Sequence, residues 1–321
     1  MNNDSALVDL LQDKYYSDTV KYTSAGVAVC LIILGLGGNG VIVVSSIKYK
    51  AFQLHKVTAT LIKHLAVSDM ACTVVMMIPS TIATLTDTWP FGYRFCQAHF
   101  YLLLTLSHIS VLQIGALTTS KLVSLQCPLR ARMWGPRTGH VLGTSVWVIS
   151  SIPALVLLSV DPNRIYYDNI RIACMYDFSD PLWRFLLPTL SFFMAVLPNL
   201  LVVFSTIGLI FSAWRVAKRN RESLKWQGIL AVILVAVVYC ISFSPQIVFN
   251  FLGNKYLHPE DTKTKVGLFV CGRLTLLNYV SNVFIYAVSV RSFQQFLTGL
   301  WTSFSTRMTD LGSGRVVESR M

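Results

Sequence analysis

Seven long stretches of the chain carry almost no charge: Ser24–Ile47, Leu61–Leu85, Phe100–Ser120, His140–Val160, Phe185–Trp214, Trp226–Asn254 and Val266–Val290. Each runs for about 20–30 residues, enough for an α-helix to cross a hydrocarbon core. A bilayer core offers the backbone no water, so such stretches must fold as helices that satisfy their own N–H and C=O groups. The expected fold is an all-α membrane protein, a seven-transmembrane helix bundle over residues 24–290. Residues 1–23 form an extracellular segment, and residues 291–321 supply a short amphipathic helix and a cytoplasmic tail.

Charged residues make up only 13% of the chain, yet the net charge is +12. A basic balance can mark a nucleic-acid binder, but its distribution here points elsewhere. With the N-terminus outside, Lys48, Lys50, Lys56, Arg130, Arg132, Arg137, Arg215, Lys218, Arg219 and Lys225 fall in the inner loops. Only Glu222, Asp310 and Glu318 oppose the basic residues on that side. The positive-inside rule therefore sets N-out, C-in, and the odd number of spans agrees. The partners on that face are anionic membrane lipid and protein, with no nucleic acid. The first 21 residues hold Asp4, Asp9, Asp13 and Asp18 and lack a cleavable signal pattern, so the first span serves as its own insertion signal. A multi-pass plasma membrane protein follows, with Asn3-Asp4-Ser5 as an extracellular glycosylation sequon on Asn3.

Of seven cysteines, Cys30, Cys72, Cys240 and Cys271 lie in spans, where cysteine behaves as a small apolar residue, and Cys127 lies on the reducing side. Only Cys96 and Cys174 sit where a disulfide persists. They are expected to tie the outer end of span 3 to the loop after span 4. No Cys/His spacing points to a metal.

A set of ordered motifs then narrows the class. Gly38-Asn39 precedes an apolar run; Leu65–Asp69 reads LAVSD; Trp89–Gly92 reads WPFG ahead of Cys96. Trp147 and Pro153 mark span 4, and Pro198 marks span 5. Tyr239–Pro245 reads YCISFSP, Asn282–Tyr286 reads NVFIY, and Val290–Leu297 reads as a short amphipathic helix. Together these resemble the rhodopsin-like (class A) G protein-coupled receptors over nearly the full chain. The resemblance implies a receptor that passes extracellular ligand binding to a heterotrimeric G protein. It also implies a sodium ion as an allosteric ligand among Asp69, Ser110, Asn278 and Asn282. From the residues alone, Asp69 is an ionisable group within the membrane, functional by default, or else a hydrogen-bonded strut. Pro198 and Pro245 are expected to kink spans 5 and 6.

The departures bear on signalling. Where the family carries DRY, this chain has Ser120-Lys121-Leu122, and lysine lacks the planar five-donor fork of arginine. Lys225 stands where an acidic lock partner is common, Phe243 replaces a tryptophan, Val283 a proline, and Thr206 a tyrosine. The switch residues expected are Ser120, Lys121, Phe243, Pro245, Asn282 and Tyr286. The transducer surface expected is Lys121, Pro128, Arg130, Arg219 and Lys225. One reading of the departures is a weakly locked resting state; the other is an ordinary receptor with redistributed contacts.

The outer half of the bundle should hold the ligand pocket. Leu103 stands where amine receptors carry an aspartate and Leu276 where opsins carry the retinal lysine, which disfavours monoamines and retinal. Arg273 reads either as an anion anchor or as a snorkelling cation, with Ser107, Gln246 and Asn250 as polar neighbours. A β-hairpin around Arg171–Tyr176 and a peptide ligand are expected. The spans show no internal repeat and no broken pair of the kind transporters use. The few deep ionisable groups do not converge as an enzyme needs. The alternative is a receptor-like protein that binds ligand or dimerises without coupling.

Overall fold

The structure, a computed structural model, describes residues 18–48, 56–169, 171–177, 190, 192–219, 226–256 and 262–312. Seven of its helices are long and apolar enough to cross a membrane. They are α1 Asp18–Lys48, α2 Lys56–Thr86, α3 Gly92–Gln126, α4 Pro136–Val160, α5 Phe192–Arg219, α6 Trp226–Tyr256 and α7 Thr262–Ser289. A short turn of helix at Pro128–Arg132 follows α3, and α8, Arg291–Gly312, follows α7. Between α4 and α5, strands β1 (Ile165–Asp168) and β2 (Ala173–Tyr176) pair antiparallel, with Tyr167 opposite Cys174. The Cys96–Cys174 disulfide fastens this hairpin to α3. The bundle thus has a disulfide end and, opposite it, a basic end.

The helices outrun the charge-free stretches that announce them. α1 starts at Asp18 and carries Lys21, which pairs with Asp87 at the C-cap of α2. α8 runs for 22 residues instead of ending near Leu297, because apolar residues keep recurring at 300, 301, 304 and 308. Phe293 at its start is fully buried in the main core. The stretch from Phe185 lies outside the described residues until Leu190, as do Asn3 and Lys225.

Among the described residues, π turns occur at Thr73–Met77 within α2 and at Phe192–Val196 at the start of α5. Each is followed two residues later by a proline, Pro79 and Pro198. A proline ring collides with the carbonyl four residues back, and a wider turn relieves that clash. Pro153 and Pro245 sit inside helices that continue on both sides.

Packing at the basic end rests on one large cluster around Ile42, Leu61, Leu65, Ile114, Leu209, Val232, Tyr239 and Tyr286. A second cluster lies under the hairpin, around Phe100, Leu157, Ile165 and Tyr176. Apolar attraction does not drive helices together in lipid, so close approach matters more than in water. Glycines supply it. A Cβ at Gly139 would meet Thr60 at 2.8 Å, and one at Gly143 would meet the His64 ring at 2.6 Å. At this seam His64 Nε2 lies 3.2 Å from His140 Nδ1. Gly143→Val is expected to force α2 and α4 apart, costing about 1–3 kcal/mol. Gly26, exposed with nothing within 4 Å of its Cβ position, is the control. The apparent melting temperature of the purified chain should fall by several degrees with Gly143→Val and hardly move with Gly26→Val.

Candidate functional site

Half-way along the bundle, polar side chains from α1, α2, α3 and α7 meet in a seam that the apolar clusters enclose. Asp69 is fully buried, and Asn282 Nδ2 donates to its Oδ2 at 2.6 Å. Asn39 Nδ2 donates to the carbonyl of Tyr279 at 2.8 Å, joining α1 to α7. Ser110 and Tyr279 lie beside the Cys72 thiol, and the Tyr279 hydroxyl is buried with no hydrogen-bond partner among the described residues. Ser110 Oγ also donates to Leu106 O at 3.2 Å. Four buried oxygens, Oδ1 of Asp69, Asn39, Asn278 and Asn282, have no hydrogen-bond partner among the described residues. Buried oxygens without partners call for a water or a hard cation, and this donor set suits either. Of the residues expected to form the sodium site, Asp69 and Asn282 are bonded to each other and Ser110 lies beside Cys72, while Asn278 is buried with its amide unpartnered among the described residues; these oxygens are of the kind such an ion takes. Sequence reading passed over Cys72 and Tyr279; both look apolar or merely aromatic along one dimension.

The seam connects to α5 through aromatic rings. Tyr279 meets Phe243 edge-on at 6.3 Å, and Phe243 stacks on Tyr239 at 4.8 Å. Tyr239 then donates to Asn199 Oδ1 at 3.1 Å. Phe243, at the tryptophan position, is thus the middle of a chain running from α7 to α5. Pro245 lies two residues further along α6, and Tyr286, one turn beyond Asn282, is buried in the core.

At the basic end, Ser120 donates its hydroxyl to Leu117 O at 2.9 Å, and Lys121 is only 8% exposed. Pro128, Arg130 and Arg219 are exposed. Polar ties here run from α3 to α5, which sequence reading did not anticipate. Thr118 and Ser205 share a hydrogen bond at 2.6 Å, and Gln126 Nε2 donates to Ser212 at 3.1 Å. Between them Leu122 lies against Gly208, where a Cβ would meet it at 3.1 Å.

At the disulfide end, Arg273 donates to Thr84 Oγ1 at 3.3 Å and lies 5.0 Å over the Phe269 ring. Its charge also acts on Tyr167 of β1. Burial and Asp168 push that phenol up to about 12, while Arg273 pulls it down. Gln246 abuts α7 at Gly272, and Leu103 and Ser107 are partly buried. The side chain of Asn250 lies outside the described residues. His108 meets the backbone of Ser150, while its Nδ1 is buried with no hydrogen-bond partner among the described residues. The loop charges pair locally, Asp161 with Arg164 at 3.3 Å and Asp168 with Arg171 at 2.6 Å.

A family model described as 7 transmembrane receptor (rhodopsin family) matches residues 38–286. Neuropeptide Y receptor type 1 of Xenopus laevis is 24% identical over 287 residues, 83% of this chain and 76% of that receptor. Leukotriene B4 receptor 2 of Homo sapiens is 31% identical over 152 residues, 46% of this chain and 42% of its own length. Its counterpart in Mus musculus is 31% identical over 140 residues, 41% of this chain and 38% of that receptor.

Loss of the Asn282 donor leaves a buried carboxyl oxygen without its partner, at a cost of about 1–3 kcal/mol. A thermal double-mutant cycle of Asp69→Ala and Asn282→Ala is expected to show coupling of roughly 1 kcal/mol. Additive losses would refute the bond as a tie between α2 and α7.

Proposed function

Because the chain belongs to the rhodopsin family of seven-transmembrane receptors, we propose that it passes the binding of an extracellular ligand to a heterotrimeric G protein. The observation that carries this reading is the buried Asp69–Asn282 bond, joined through Tyr279, Phe243 and Tyr239 to Asn199. Such a chain links four helices and gives ligand binding at one end a route to the other. The basic end faces the cytoplasm by the positive-inside rule, with the N-terminus and the disulfide outside at the plasma membrane. Lys121, Pro128, Arg130, Arg219 and Lys225 form the transducer surface in this reading.

The ligand carries an anionic group that Arg273 receives, with Leu103, Ser107 and Gln246 as further contacts. A guanidinium already oriented by Thr84 and Phe269 suits a carboxylate or phosphate. Leu103 and Leu276 give an amine or a retinal aldehyde nothing to bond. One relative is a receptor for neuropeptide Y and another for leukotriene B4, so a peptide bearing a carboxylate is favoured. The unpartnered oxygens around Asp69 favour a sodium ion as an allosteric ligand.

A second reading is a receptor that binds ligand without coupling. Lys121 favours it: the side chain is buried, and it lacks the arginine fork. The resting state in either reading is held by Thr118–Ser205 and Gln126–Ser212, in place of an ionic lock.

Basal G protein activation at matched surface levels separates the two. Coupling predicts activity in the native chain that Lys121→Ala abolishes, or silence that Lys121→Arg reverses. Silence of all three chains, both alone and against a library of peptide and carboxylate ligands, would favour the non-coupling reading. In a thermal-shift panel, sodium chloride is expected to raise the apparent melting temperature of the native chain but not of Asp69→Ala, with choline chloride as control. In the same panel, carboxylate-bearing hits should lose their shift in Arg273→Gln. A shift kept by that variant removes Arg273 from the ligand site.

A further inference from the structure

Along the last turns of α5, a row of side chains faces away from the bundle. Phe211 and Trp214 are 49% and 57% exposed, and Arg215, Lys218 and Arg219 are exposed beyond them. The two rings stack at 6.1 Å with 19° between their planes. Over them lie two cations. The Arg215 guanidinium carbon is 4.2 Å from the Phe211 centroid, and Lys218 Nζ is 5.5 Å from that of Trp214. Each cation stands four residues after its ring, so one helical turn, about 5 Å, carries it from ring level toward the basic end. Outward-facing rings on a membrane-crossing helix meet acyl chains and glycerol. Cations one turn further stand at headgroup level. The ion pairs seen lie elsewhere, Lys21 with Asp87, Arg164 with Asp161 and Arg171 with Asp168. The carbonyl end of α5 further favours positive charge there.

We propose that Phe211, Trp214, Arg215 and Lys218 form a binding site for the headgroup of an anionic phospholipid of the inner leaflet. The leaflet rests on the orientation given under Proposed function; the site itself does not. Phosphate and carboxylate oxygens accept hydrogen bonds from the guanidinium and the ammonium, and the rings hold both cations in place while covering the glycerol region. A lipid is the occupant because the row lies on the flank of the bundle, whereas a transducer docks on its end. The choline of a zwitterionic lipid would bring like charge to the same place.

Native mass spectrometry of the full chain, released from micelles doped with equal phosphatidylserine and phosphatidylcholine, tests this. Two basic residues near a headgroup are expected to favour phosphatidylserine roughly tenfold. The R215Q/K218Q variant should bring the ratio near one. The R137Q/K56Q control removes the same charge from the same end and should leave the preference standing. Phe211→Leu with Trp214→Leu keeps the charge and should lower the ratio several-fold. The melting temperature of each variant checks that it is folded. Equal loss in R137Q/K56Q would reduce the effect to diffuse charge and overturn the site, as would an unchanged ratio in either α5 variant. A variant that keeps its lipid preference but loses G protein activation would assign the row to the protein partner instead. The readout needs neither ligand nor coupling, so its failure leaves the receptor reading untouched, and a silent receptor leaves the lipid site untouched.

Discussion

Inside hydrocarbon a polar atom has only the protein to bond to, and that scarcity orders this molecule. Most hydroxyls in the spans donate back into their own helix: Thr60 to Lys56 O, Thr81 to Met77 O, Ser120 to Leu117 O, Thr206 to Val202 O. Such bonds satisfy the side chain but join no helix to another. The few that do cross between helices therefore stand out. Asn39 reaches Tyr279, Asn282 reaches Asp69, Thr118 meets Ser205, and Tyr239 reaches Asn199. Asp69 is the member whose isolation would be most costly, since a carboxyl at mid-membrane must be paired or hydrated. The amide of Asn282 meets that demand directly.

Shape does the rest of the joining. Gly38 lies against Val283, Gly35 against Thr73, Gly115 against Leu201 and Gly208 against Leu122. Each lets two helices approach until side chains of one touch the backbone surface of the other. Where water is absent, this contact supplies attraction that burial supplies in soluble proteins. On the α3–α5 seam the two devices alternate, bond then Leu122 on Gly208 then bond. That spacing ties α3 to α5 along the basic end.

The number and order of spans could be read from the sequence because the membrane imposes them on any chain that crosses it. Cys96 and Cys174 were legible for a similar reason, since compartment left them to each other. Asp69 and Asn282 announced themselves as polar groups in apolar stretches, and the structure pairs them. Cys72 and Tyr279 gave no such signal, because a thiol and a phenol pass for ordinary core residues until a neighbour is known. The charge-free stretch starts at Ser24, yet α1 takes in Lys21 as well, whose partner Asp87 is 66 residues away and so invisible to a local reading. α8 ran long because its stripe of large apolar residues continues through a hydroxyl-rich sequence that resembles a loose tail. Pro198 was read as a kink; that it and Pro79 each follow a π turn depends on backbone geometry that composition does not carry.

The π turn of α2 has a consequence for how the bundle could change over time. Each residue turns an α-helix by about 100°, so the wider turn at Thr73–Met77 resets the heading of everything after it. On one side Asp69 points at Asn282; on the other Ser80 reaches the carbonyl of Ile172 and Thr84 reaches Arg273. The two halves share an axis but not a compass bearing. A lineage that gained or lost a single residue there would swing the half beneath the hairpin to a new set of neighbours while the mid-membrane half stayed where it is. Divergence in what the mouth of the bundle recognises can thus proceed without disturbing the machinery below it.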